Sequence, residues 1–166
     1  MKLKGVKKLN KAIERSLMEN LDLDFDLTCT MSDEFAMYLD EDRINYRLYE
    51  DSLTSETFRS FLNSIGANCK DDLDEFVYSL LHEIGHYYTF DNIAPIKKWF
   101  SYGIKRIIEK IMRITPKNKW VYSRYYYLPV EKPASEWAIA VKKEKYNRIK
   151  AEIKQALFDF YEKNFS

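Results

Sequence analysis

Leu73, Phe76, Val77, Leu80, Leu81 and Ile84 recur at i, i+3, i+4, i+7, i+8 and i+11. That 3.6-residue period commits the stretch to a helix with one apolar side, because a strand repeats every second residue. Asp72-x-x-Glu75 in front of the stripe is a capping-box variant and predicts a helix start there. On the polar margin of the same stripe stands His82-Glu83-Ile84-Gly85-His86, and the chain has no other histidine. Two histidines dropped at random among 166 positions fall four apart with a glutamate between them roughly 0.1% of the time. The arrangement has a chemical reason. Residues i and i+4 are neighbours on one helix face, roughly 5–6 Å apart at Cβ, so two imidazoles can converge on one tetrahedral zinc. Glu83 then points beside the metal, where it can take a proton from the activated water and pass it to a leaving amine.

A catalytic zinc takes three protein ligands and keeps one position open. No histidine remains and no cysteine follows the motif, so a carboxylate is required; downstream, Glu109, Glu131, Glu136 and Glu144 stand in helical contexts. Helix geometry alone leaves the choice open. Proline is comfortable only in a first helical turn; if Pro133 is the first helical residue, Glu131 lies just outside that helix and Glu136 within it.

The remainder reads as one α+β domain spanning 1–166, without repeats or a Ser/Gly/Pro-rich linker. Leu3, Val6, Leu9, Ile13 and Leu17 predict a first amphipathic helix over 3–20. Phe25 to Thr30, Phe35 to Leu39 and Ile44 to Tyr49 read as short strands, the last two joined by a turn at Asp40 to Arg43. Ser55 is the expected N-cap of a short helix ending at Gly66. From Pro95 to Ile114 a helix is expected to bury Ile96, Trp99, Phe100, Ile107, Ile108 and Ile111 and to display Lys97, Lys98, Lys105, Arg106, Lys110 and Arg113. The Tyr-rich segment 120–127 reads as extended, and a long helix from Glu131 to about Phe160 closes the chain. With 27 Lys+Arg against 26 Asp+Glu there is no global electrostatic case for nucleic acid or an anionic membrane; affinity for polyanions needs a local patch. Cys29 and Cys69 can form at most one bridge, which fits a reducing compartment. There is no signal peptide and no run of 18 apolar residues, so a cytoplasmic protein without membrane or nucleic-acid partners is expected.

Glu131-Lys-Pro-Ala134-Ser-Glu-Trp137-Ala138 follows the histidine motif. It resembles the E-x-x-A-x-x-[FW]-A variant carried by ImmA/IrrE-like metallopeptidases of phages and mobile elements, within the gluzincins, zinc peptidases whose third ligand is a glutamate. The resemblance implies a zincin-like fold, in which a small β-sheet packs against an active-site helix and a C-terminal glutamate helix. It further implies one Zn²⁺ on His82, His86 and Glu131, Glu83 as general base and acid, and hydrolysis of internal peptide bonds in a protein or peptide substrate. The competing reading is a zincin-fold binding or regulatory protein without turnover. Ser135 stands where many gluzincins carry the aspartate that orients the first histidine, so that support has to come from another group or be weaker. The oxyanion-stabilising group is sought among Tyr122, Arg124, Tyr125, Tyr126 and Tyr127. By the same likeness, strand 44–49 is the expected edge for an extended peptide.

Overall fold

The structure, a computed structural model, describes residues 4–48, 52–114 and 119–165. It is an α+β chain, mostly helical, with one three-stranded sheet. The fold divides into two compact units, Met1–Leu48 with Lys143–Ser166, and Tyr49–Lys142.

In the first unit, helix α1 (Val6–Leu21) follows the predicted apolar spacing and buries Leu9, Ile13 and Leu17; Leu3 lies outside the described residues. Strands β1 (Thr28–Met31), β2 (Ala36–Tyr38) and β3 (Arg43–Tyr46) form a sheet of order β1-β3-β2. β3 runs parallel to β1, with Cys29 opposite Ile44, and antiparallel to β2, with Met37 opposite Ile44. The β2–β3 connection is a single 3₁₀ turn, Leu39–Glu41, closed by Asp42 in the left-handed conformation (φ 46°). Glu14 of α1 is buried and accepts the Cys29 backbone N–H at 2.8 Å, tying helix to sheet. The expected edge at 44–49 is overturned: β3 is the central strand and both of its sides are hydrogen bonded, so no peptide can add there.

The second unit is helical: α2 (Ser52–Ser64), α3 (Asp72–Phe90), α4 (Pro95–Ile114), α5 (Lys119–Tyr126) and the opening turns of α6 (Glu131–Phe165), which runs on into the first unit. α2 begins before Ser55, which is therefore helical and not the N-cap. Its end is as expected, with Gly66 at φ 92° and the Ala67 N–H donating to the Leu62 carbonyl at 3.0 Å. The cap of α3 sits one residue before the expected place: the Asp71 side chain accepts the Asp74 N–H at 2.8 Å, and Asp74 in turn accepts the Lys70 N–H. Glu75, freed from capping, pairs with Arg59 of α2. The segment 120–127 is corrected from extended to helical: α5 packs Tyr122 and Tyr126 against Phe58 and Phe61 of α2, with ring centroids 5.4–6.1 Å apart.

Cys29 and Cys69 are both free and buried, one in each unit. Burial raises both thiols, that of Cys69 to about 12. Among the described residues no helix is long and apolar enough to cross a membrane.

Candidate metal centre

The apolar stripe of α3 buries Phe76, Val77, Leu80, Leu81 and Ile84, leaving His82 and His86 on the adjoining face with their rings 4.8 Å apart. Opposite them stands the first turn of α6. Three contacts seat it. Gly85 lies flat against Ala134, where an added Cβ would come within 2.5 Å of the Ala134 carbonyl oxygen. Tyr88 stacks on Trp137 with ring centroids 5.1 Å apart. Ser135 Oγ lies 3.0 Å from His82 Nδ1.

This packing brings Glu131, the first residue of α6 and only 1% exposed, onto both histidines. Its Oε2 lies 3.1 Å from His82 Nε2 and 3.3 Å from His86 Nε2. Pro133 occupies the third helical position, within the first turn, so Glu131 lies inside the helix and not just before it. Glu136 is exposed and pairs with Lys132 at 3.7 Å; Glu144 is exposed; the Glu109 side chain lies outside the described residues.

The donor set suits a metal. Ligand atoms of His82, His86 and Glu131 all lie within 4.8 Å of one another. A tetrahedron with bonds of about 2.0–2.1 Å has edges of about 3.3 Å, and the two Glu131–histidine separations match that edge. Both histidines turn Nε2 towards Glu131, and Nδ1 of His82 is left to hydrogen bond with Ser135, which is itself hydrogen bonded to Tyr78. Ser135 is therefore the group that holds the orientation of the His82 ring.

The surroundings favour an ionised Glu131. Burial opposes ionisation of Glu131, but hydrogen bonds from His82 and His86 and the charges of His86 and Lys105 outweigh it and hold the carboxyl well below its ordinary value. Burial likewise opposes protonation of His86, yet Glu131 and Glu83 leave its pKa raised.

Lys105 is the residue sequence reasoning missed. The α4 pattern puts it on the displayed face, but its Nζ lies 3.0 Å from Glu131 Oε1 and 5.2 Å from the Tyr125 ring centroid, and Glu131 and Tyr125 keep it protonated against the effect of burial. Its neighbours one helical turn away, Ser101 and Ile108, are buried in the structure, but nothing in the sequence marked that side of α4 as the inner one. Among the five expected oxyanion candidates, Tyr122 and Tyr126 pack on α2, while Arg124 and Tyr127 are exposed. Tyr125 lies beside Lys105, and burial together with the charges of Glu131 and Glu83 raises its hydroxyl pKa.

Comparison with protein families, with curated proteins and with solved structures gives no match.

Proposed function

We propose that this chain is a zinc-dependent peptidase of the gluzincin type, cleaving internal peptide bonds of a protein substrate in the cytoplasm. The observation that carries the reading is the meeting of His82, His86 and Glu131 within 4.8 Å, with Glu83 on the same helix turn. When bound, zinc supplies a water acidified towards neutral pH and a Lewis acid for the scissile carbonyl. Glu83, 8% exposed, accepts the proton of the attacking water and returns it to the leaving amine. Lys105 holds Oε1 of Glu131, so that a single oxygen faces the histidines. Tyr125, beside Lys105, is the hydroxyl best placed to donate to the developing oxyanion.

An intact Glu83 favours turnover over a purely binding role, since a structural site has no use for a base. The test is Glu83→Gln, which should retain zinc while losing hydrolysis by at least about 10²–10⁴-fold. Zinc-loaded wild type and Glu83→Gln protein are incubated with cell lysate and new peptide N-termini compared by mass spectrometry. If the two proteins yield the same set of termini, the non-catalytic binding reading replaces this one.

A further inference from the structure

Helix α4 leaves outside most of the apolar residues that its sequence was expected to bury. Ile96, Trp99, Phe100, Ile107 and Ile111, expected to be buried, are 70%, 75%, 53%, 59% and 37% exposed, whereas Ile108 is buried as expected, with Ser101 the other buried residue of α4 among the described side chains. On a helix turning about 100° per residue, Ile96, Phe100, Gly103 and Ile107 fall on one line along the outer face, with Trp99 bordering it. Arg106 and Lys110 flank this line on the Trp99 side and Lys97 on the other, all three exposed or partly so. Of the basic side chains of α4, Lys97, Arg106 and Lys110 stand on this exposed side, while Lys105 turns inward to Glu131. This is the local patch that the near-neutral whole chain lacks.

We propose that the outer face of α4 docks on an anionic lipid bilayer, lying in the interface plane with Trp99, Phe100, Ile96 and Ile107 sunk among the headgroups and Lys97, Arg106 and Lys110 on lipid phosphates. An apolar line rich in Trp, Phe and Ile with basic flanks is the chemistry of an interfacial helix. It is distinct from a spanning one, which α4 is too polar to be. The other occupants fit less well. A second copy of α4, parallel or antiparallel, would set basic flank against basic flank, since both sides of the line carry cations. A nucleic acid would satisfy the cations and could stack on Trp99, but would leave Ile96 and Ile107 in water. This docking does not rest on the peptidase reading. It would, however, bring the site close to membrane-proximal polypeptides, because α4 also carries Lys105, bonded to Glu131.

The test is flotation of the full-length protein with phosphatidylcholine vesicles, with and without phosphatidylglycerol. Binding is expected only with the anionic lipid, and it should fall as salt is raised from about 0.1 to about 1 M, where the Debye length shrinks from about 10 Å to 3 Å. Trp99→Ser with Ile107→Ser should abolish binding. Arg106→Gln with Lys110→Gln should weaken it about thirtyfold, at roughly fivefold per basic residue. All four side chains lie on the outer face, and circular dichroism confirms folding; should a variant unfold, the wild-type lipid and salt dependence decides alone. Four results would overturn the proposal: no flotation, equal binding to neutral vesicles, a vesicle-independent dimer that shields Trp99, or preferential binding of duplex DNA unaffected by Ile107→Ser.

Discussion

A serine hydroxyl is uncharged and can donate or accept, so the Ser135–His82 hydrogen bond holds the orientation of the imidazole ring without lending it negative charge. Ser135→Ala should leave the ring free to rotate and weaken zinc binding about 10–100-fold, measured by competition with a chromogenic chelator. Lys105 acts on the other ligand. With Oε1 of Glu131 held at 3.0 Å by the ammonium group, only Oε2 is directed at the histidines. Lys105→Met should release Oε1 and let the carboxylate bind through both oxygens. In the cobalt-substituted protein this change from four to five ligands is expected as a loss of visible absorption intensity; an unchanged spectrum would show that Lys105 does not set the ligand geometry. His82, Glu83 and His86 were legible in the sequence because their relation is local, fixed by one helix turn. Glu131 needed the likeness of a second motif to be preferred over Glu136. Lys105 was illegible as a partner because only the packing of α4 and α6 brings it to Glu131.

The site depends on how closely two helices approach, and Gly85 sets that distance. A methyl group there would meet backbone, the Ala134 carbonyl, which cannot swing aside as a side chain would. Gly85→Ala should therefore push α6 from α3, lift Glu131 off the histidines and remove most bound zinc while far-UV dichroism stays largely helical; metal analysis by mass spectrometry checks this. At this scale the sequence read α1 and α3 well, because each has a single apolar stripe. It misread α4, which carries two apolar lines: Ile96, Phe100 and Ile107 outward, Ile108 inward beside Ser101. Periodicity reports that a line exists and not which side the core takes. α5 was misread because alternating aromatics suit a strand as well as a short helix, and the packing of Tyr122 and Tyr126 on α2 decides for helix. β3 was misplaced at an edge because pairing order is not written in any one strand.

For the whole molecule, a metal held as proposed would compete with protons for His86. In the metal-free protein its raised pKa means that the pairing with Glu131 stabilises the fold fully below pH 6.5 and fades as pH rises through the folded value. Glu131, held low, stabilises above its ordinary 4.5 and loses this as pH falls through its folded value. Zinc requires neutral His86, so its contribution should grow with pH. With chelator present, Tm is thus expected to fall above pH 6.5, while the Tm gain from added zinc increases over the same range; a zinc gain independent of pH would remove His86 from the ligand set.

The two buried thiols give the molecule a pair of internal clocks. Neither reacts until its surroundings open, and one is housed in each unit. The rate at which a thiol reagent reaches Cys69 therefore counts openings of the unit that holds His82, His86 and Glu131, while Cys29 counts those of the unit with the sheet. Zinc at about 100 times its Kd should slow the first clock by up to about a hundredfold if Cys69 is exposed only when the site comes apart, and peptide mapping after timed alkylation reads both clocks in one sample. Equal slowing at Cys29 would mean that the two units open as one, through the single helix α6 they share.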